Sequence, residues 1–119
     1  KDKYAVFQLG EENLNSLIAP KLKSELVIFA EKGIKNLIFD LSNVRYVDSS
    51  GLSAILTANR LWKGQGSFVL TGIEHPNVKR LIEISRLDTI LNIQPSVEDA
   101  INVVHMEELQ REIQDTTEE

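Results

Sequence analysis

Apolar positions along this chain change their spacing several times, and each change marks a predicted element. Tyr4-Ala5-Val6-Phe7-Gln8-Leu9 is short and rich in β-formers, a first strand. Gly10-Glu11-Glu12-Asn13 turns the chain, and Leu14 lies on a second brief extended piece. Ala19, Leu22, Leu26, Phe29 and Ala30 then recur at helical spacing, with Lys21, Lys23, Glu25 and Lys32 off that stripe. Pro20 suits the first turn, where its missing N–H costs nothing, and Gly33 is placed to close the helix. Asn36 to Leu41 is nearly continuous in apolar residues, as in a strand covered on both faces. From Leu52 to Lys63 a second helix puts Leu52, Ile55, Leu56, Asn59 and Trp62 on one side and Ser53, Thr57 and Arg60 on the other, ending at Gly64. Ser67 to Thr71 is the next strand, and His75-Pro76 opens a third helix with Val78, Leu81 and Ile82 inward. Ile90-Leu91-Asn92-Ile93 is the last strand. Ser96 caps a final helix through Val97, Ala100, Ile101 and Val104, with Asp99 completing a weak capping-box variant.

Strands alternating with helices predict an α/β layered domain: a single mixed sheet of four to five strands with about four helices. The 119 residues make one domain, large enough to bury roughly two-thirds of the unfolded surface. Charge divides it. Residues 106–119 hold six acids and only Arg111 as a base, which is the whole net charge of −5; residues 1–105 balance 12 acids with 12 bases. The expected organisation is therefore a domain over 1–105 and an acidic tail or helix extension over 106–119, the tail read as a solvated end. A neutral body with an acidic end lacks the basic face of a nucleic-acid binder. With no cysteine there are no disulfides and no thiolate chemistry, which fits a reducing compartment. No apolar run approaches the ~20 residues of a membrane span, and no signal peptide is visible. The expectation is a soluble cytoplasmic protein.

Candidate chemistry concentrates in Val44-Arg45-Tyr46-Val47-Asp48-Ser49-Ser50-Gly51-Leu52, between the central strand and the second helix. The carboxyl end of a strand is where α/β domains keep their working groups. His75 lies in a loop and His105 near the end of the last helix, and neither has a sequence neighbour that would orient it for catalysis. The chain carries no phosphate-loop, dinucleotide or nucleophile-elbow signature, since Ser49 follows Asp48. Asp40 and Asp48 flank the strand-to-turn segment, but no third acid completes a metal site. The reading is non-enzymatic, with no metal and no cofactor. Taken alone, Asp-Ser-Ser-Gly is the ordinary composition of a helix start, where a side-chain oxygen steadies the first turn by ~1 kcal/mol.

The run Leu37-Ile38-Phe39-Asp40-Leu41, then Val44, Tyr46-Val47-Asp48-Ser49-Ser50-Gly51-Leu52, Ile55 and Leu56, closely resembles the STAS domain of bacterial anti-anti-sigma factors, or anti-sigma factor antagonists. Gly66 to Leu70, Val78 to Leu87 and Val97 to Ala100 resemble that family's following strand and helices, so the resemblance covers about residues 4–105. It implies a regulatory protein of bacterial transcription. In that family the serine after the Asp is phosphorylated by the anti-sigma factor, itself a serine kinase; by position this is Ser49. The unphosphorylated antagonist binds the kinase and frees a sigma factor, the phosphorylated form lets go, and a separate PP2C-type phosphatase resets the switch. Asp48, Ser50, Gly51, Leu52 and Ser53 would form the partner surface. Asn15 stands where sporulation-type members place an Asp that contacts the partner, and the N-terminal hairpin is abbreviated.

Elementary electrostatics agrees with a switch at this turn. A phosphoserine brings about −1.5 to −2 charges. A helix N-terminus tolerates them, while a partner packed over the site would face charge whose desolvation costs several kcal/mol. Ser50 is the rival acceptor, read as a cap or an inward hydroxyl. Gly51 allows a partner backbone to approach or merely eases the turn. Leu52 divides evenly between contact and core, and Ser53, Thr57 and Arg60 between contact and solvated face. Two other readings stand beside the switch: a small nucleotide- or phosphate-binding α/β domain using the same helix end, and a scaffold whose site is vestigial.

Overall fold

The computed structural model describes residues 4–118. The elements follow the predicted alternation: β1 (Ala5–Gln8), β2 (Asn13–Leu14), α1 (Ala19–Glu31), β3 (Leu37–Asp40), β4 (Tyr46–Val47), α2 (Ser49–Lys63), β5 (Phe68–Thr71), α3 (Pro76–Ile84), a 3-10 turn (Leu87–Thr89), β6 (Asn92–Gln94) and α4 (Val97–Glu118). Four strands form one sheet in the order β1-β3-β5-β6, and β2 pairs with β4 beside it; all these pairings are parallel.

The strand order rises steadily across the sheet, so right-handed crossovers put α1, α2 and α3 on one face. Phe39, Leu37, Phe68 and Leu70 pack there with Leu22, Leu26, Ile55, Ala58, Trp62, Val78 and Ile82. Alternate residues Ile38 and Val69 face the other way, under Ala100 and Val104 of α4. The central strands are thus apolar on both sides, which is why Asn36–Leu41 reads as a continuous run. Trp62 is fully buried and spends its indole N–H on the Ile34 carbonyl at 2.9 Å. Gly33 ends α1 with φ 88, the left-handed conformation a Cβ would strain.

Three expectations shift. The second helix starts at Ser49 rather than Leu52, so both serines lie within its first turn. The last strand moves from 90–93 to Asn92–Gln94, because Leu87–Thr89 forms a 3-10 turn entered through Arg86 at φ 58, leaving Ile90 exposed. The acidic segment continues α4 to Glu118, and part of it is not solvated: Glu108 is buried. His105 consequently lies in the middle of α4, its ring edge-on to Tyr4.

α4 is secured at the amino edge of the sheet by side chains. Asn36 Nδ2 donates to Glu108 Oε2 at 2.8 Å, and Asn36 Oδ1 accepts from Ser67 N and from Arg111 Nη2. Arg111 also pairs with Glu108 at 3.1 Å, and the Ser67 hydroxyl donates to Glu107. The Asn36 hydrogen bond, with help from the Arg111 guanidinium and against the cost of burial, holds the Glu108 carboxyl below its ordinary range.

Candidate functional site: an exposed serine at the head of a helix

The site lies at the opposite, carboxyl edge of the sheet. β4 delivers the chain there: Asp48 N donates to the Leu14 carbonyl of β2, fixing the turn against the short ribbon. Asp48 has extended backbone and is the N-cap of α2, its Oδ1 accepting from Gly51 N at 2.9 Å. The cap position is therefore filled by the aspartate, and the Ser49 side chain is exposed at the first helical residue. Ser50, read from sequence as a cap or an inward hydroxyl, is not the cap; it is half-buried and lines the space beside α1.

A shallow pocket of about 310 Å³ opens between the two helices, lined by Ser16, Ala19, Pro20, Lys23, Ser49, Ser50 and Ser53. Lys23 Nζ donates to Ser53 Oγ at 3.2 Å across it. Asn15 uses its Oδ1 to accept from Leu17 N and Ile18 N, an Asx turn that leads into α1. Ser53 and Arg60 are exposed, Thr57 half-buried. Leu52 is half-buried and packs on the main core.

Gly51 is buried, and a Cβ there would lie 2.4 Å from the Leu14 carbonyl oxygen and 2.8 Å from Leu14 Cγ. The close backbone approach seen here is to its own chain, at the turn into α2. The structure also adds residues that sequence reasoning passed over. Leu17, beside Ser16, is 82% exposed, and Tyr46 on β4 is 51% exposed. Leu17 had one available signal, an apolar residue off the helical stripe just ahead of α1. Ser16 and Lys23 carried none, because only packing of α1 against α2 brings them to Ser49.

Other chemistry finds less support. A larger cavity of about 650 Å³ lies between α3, the 3-10 turn and β6, lined by Ile73, Lys79, Ile82, Glu83, Asp88, Leu91, Asn92 and Ile93. Two carboxylates against one lysine suit a phosphate poorly. Among the described residues no cluster of His, Asp and Glu is arranged for a metal, and no helix is long and apolar enough to cross a membrane.

The site is thus a serine exposed at a helix head, beside a pocket lined by polar and small apolar side chains. The STAS domain family model matches residues 2–100, and the chain belongs to that family. It is 34% identical over 102 residues to the anti-sigma-B factor antagonist of Listeria monocytogenes, covering 85% of this chain and 86% of the relative. Among solved structures, an anti-sigma factor antagonist from Mycobacterium paratuberculosis superimposes with a TM-score of 0.79 at 22% identity, over 88% of each chain. The Bacillus cell-fate determinant SpoIIAA in its phosphorylated form superimposes with a TM-score of 0.63 at 19% identity, over 86% of this chain and 91% of that one. The two structural likenesses establish the fold, and the family model establishes membership of the STAS domain family.

Proposed function

We propose that this protein antagonises an anti-sigma factor that is also a serine kinase, and that phosphorylation of Ser49 ends the interaction. The unphosphorylated surface around Ser49 binds the kinase and so releases a sigma factor. The observation that carries this reading is the division of labour in the α2 cap: Asp48 takes the capping role through Gly51 N, leaving Ser49 exposed. In the modifying step the Ser49 oxygen attacks the γ-phosphorus of ATP, ADP leaves, and the kinase takes the hydroxyl proton. The product carries about −1.5 to −2 charges beside the Asp48 carboxylate. Exposed N–H groups of the first helical turn accommodate that charge within the fold, while a partner closing over it would have to desolvate it. A PP2C-type phosphatase returns the serine. Leu17 and Tyr46 supply apolar contact near the polar centre, as a protein-docking surface requires.

The test is incubation with a candidate anti-sigma kinase and ATP, mapping of the modified residue, and capture of the kinase by the Ser49→Ala and Ser49→Asp proteins. Modification at Ser49, with capture by the alanine protein and at least tenfold weaker capture by the aspartate protein, is expected. Equal capture by both would mean the site is vestigial. Micromolar binding of ATP or GTP by the isolated protein in calorimetry would favour a nucleotide-binding domain instead.

A further inference from the structure

The geometry points to Lys23 as the internal counter-ion of phosphorylated Ser49, swinging from its present hydroxyl partner to the phosphate. This rests on the reading that Ser49 is the modified residue and adds what the modification does to its surroundings. Lys23 belongs to α1, yet its ammonium already crosses to α2, 3.2 Å from Ser53 Oγ. Ser53 stands four residues after Ser49 on the same helix. Side chains at that spacing share a face, with Cβ atoms about 5–6 Å apart. Ser49, Ser53 and Lys23 also line one pocket, and Lys23 is the charged member of that lining. The preceding residue, Asp48, adds a carboxylate beside Ser49, held in place by Gly51 N.

A phosphate on Ser49 would project three acceptor oxygens from a point one helical turn below the present acceptor. The lysine stem has four rotatable carbons and an ammonium with three donors, so the reach is within its ordinary rotamers. Exchange of a neutral hydroxyl for a dianion sets the ammonium against opposite charge, adding Coulombic attraction to a hydrogen bond whose donor is already ionised. Modification therefore alters two groups on the docking face together: a hydroxyl becomes an anion, and a cation is withdrawn to neutralise part of it.

The experiment uses the full chain with phosphoserine installed at position 49 during synthesis, so that no kinase is needed, and follows the phosphate by ³¹P NMR through its second ionisation. With Lys23 in place the midpoint should fall about half a pH unit below that of a phosphoserine peptide, about a threefold change in proton affinity. Lys23→Met should return it most of the way, Lys23→Arg should keep it low, and Lys21→Met, at an exposed lysine outside the pocket, should leave it unmoved. Coincident titrations of the parent and Lys23→Met proteins, with both folded by their amide spectra, would overturn the assignment. Failure of a kinase to modify Ser49 would sink the proposed function without touching this readout. Coincident titrations would sink the Lys23 role and leave the switch standing.

Discussion

The two edges of the sheet handle polar side chains in opposite ways. At the amino edge Asn36, Ser67, Glu107, Glu108 and Arg111 bond to one another, and the carboxylate of Glu108 is buried among them. At the carboxyl edge Asp48 is tied into the head of α2 and Ser53 accepts from Lys23 across an open pocket, while Ser49 faces water beside it. A polar group paired inside the chain resists change, because removing its partner strands a desolvated atom. One left facing solvent can be modified or covered without cost to the fold. The amino edge is thus structural, and the carboxyl edge is available.

That contrast can be tested by stability, from the largest effect down. Gly51→Val breaks the neat division, since Gly51 belongs to the available edge in sequence but is buried against Leu14 and Val47. It should cost about 3 kcal/mol in urea unfolding, more than any other change at that edge; an unchanged midpoint would mean the ribbon yields freely. Glu108→Ala at the paired edge leaves Asn36 and Arg111 short of their acceptor and should cost about 2 kcal/mol.

Glu108 also gives the amino edge a pH signature. Its carboxyl is held below the ordinary value in the folded state, first by Asn36. Its contribution is therefore complete above the unfolded value near 4.3 and is lost as pH falls through the lower folded value. Denaturation midpoints followed from about pH 6 to pH 3 should drop less steeply for Glu108→Gln than for the parent protein; parallel curves would remove Glu108 as a source of acid sensitivity. At the opposite edge Asp48→Ala removes only the cap and should cost about 1 kcal/mol. Smallest of all, Ser49→Ala and Ser49→Asp should each stay within about 0.5 kcal/mol of the parent by the same measurement. A much larger loss with aspartate would show that negative charge at Ser49 damages the fold itself.

Much of this was legible in the chain. Spacing alone separates the helices from the strands, because Leu22 and Leu26 repeat at helical intervals while Leu37 to Phe39 run without interruption. Asp48-Ser49-Ser50-Gly51 announces a helix start, though not which oxygen would cap it; the backbone leading in from β4 decides for Asp48. Gly51 could not be read as buried, since the contact that buries it comes from Leu14 on another strand. The acidic end misled for a related reason. Six acids against one base suggest a solvated segment, and the partners that draw Glu108 and Arg111 inward lie 72 and 75 residues away. Lys23 was visible only as a residue off the apolar stripe, and its nearness to Ser49 is a product of helix packing.

The length of α4 has a practical consequence. Its 22 residues extend about 33 Å, against about 13 Å for a four-residue strand, and it runs from the carboxyl edge past the amino edge. Whatever is joined beyond it, a fluorophore or a tether, is carried away from the Ser49 face. A probe attached there leaves the Ser49 face unobstructed.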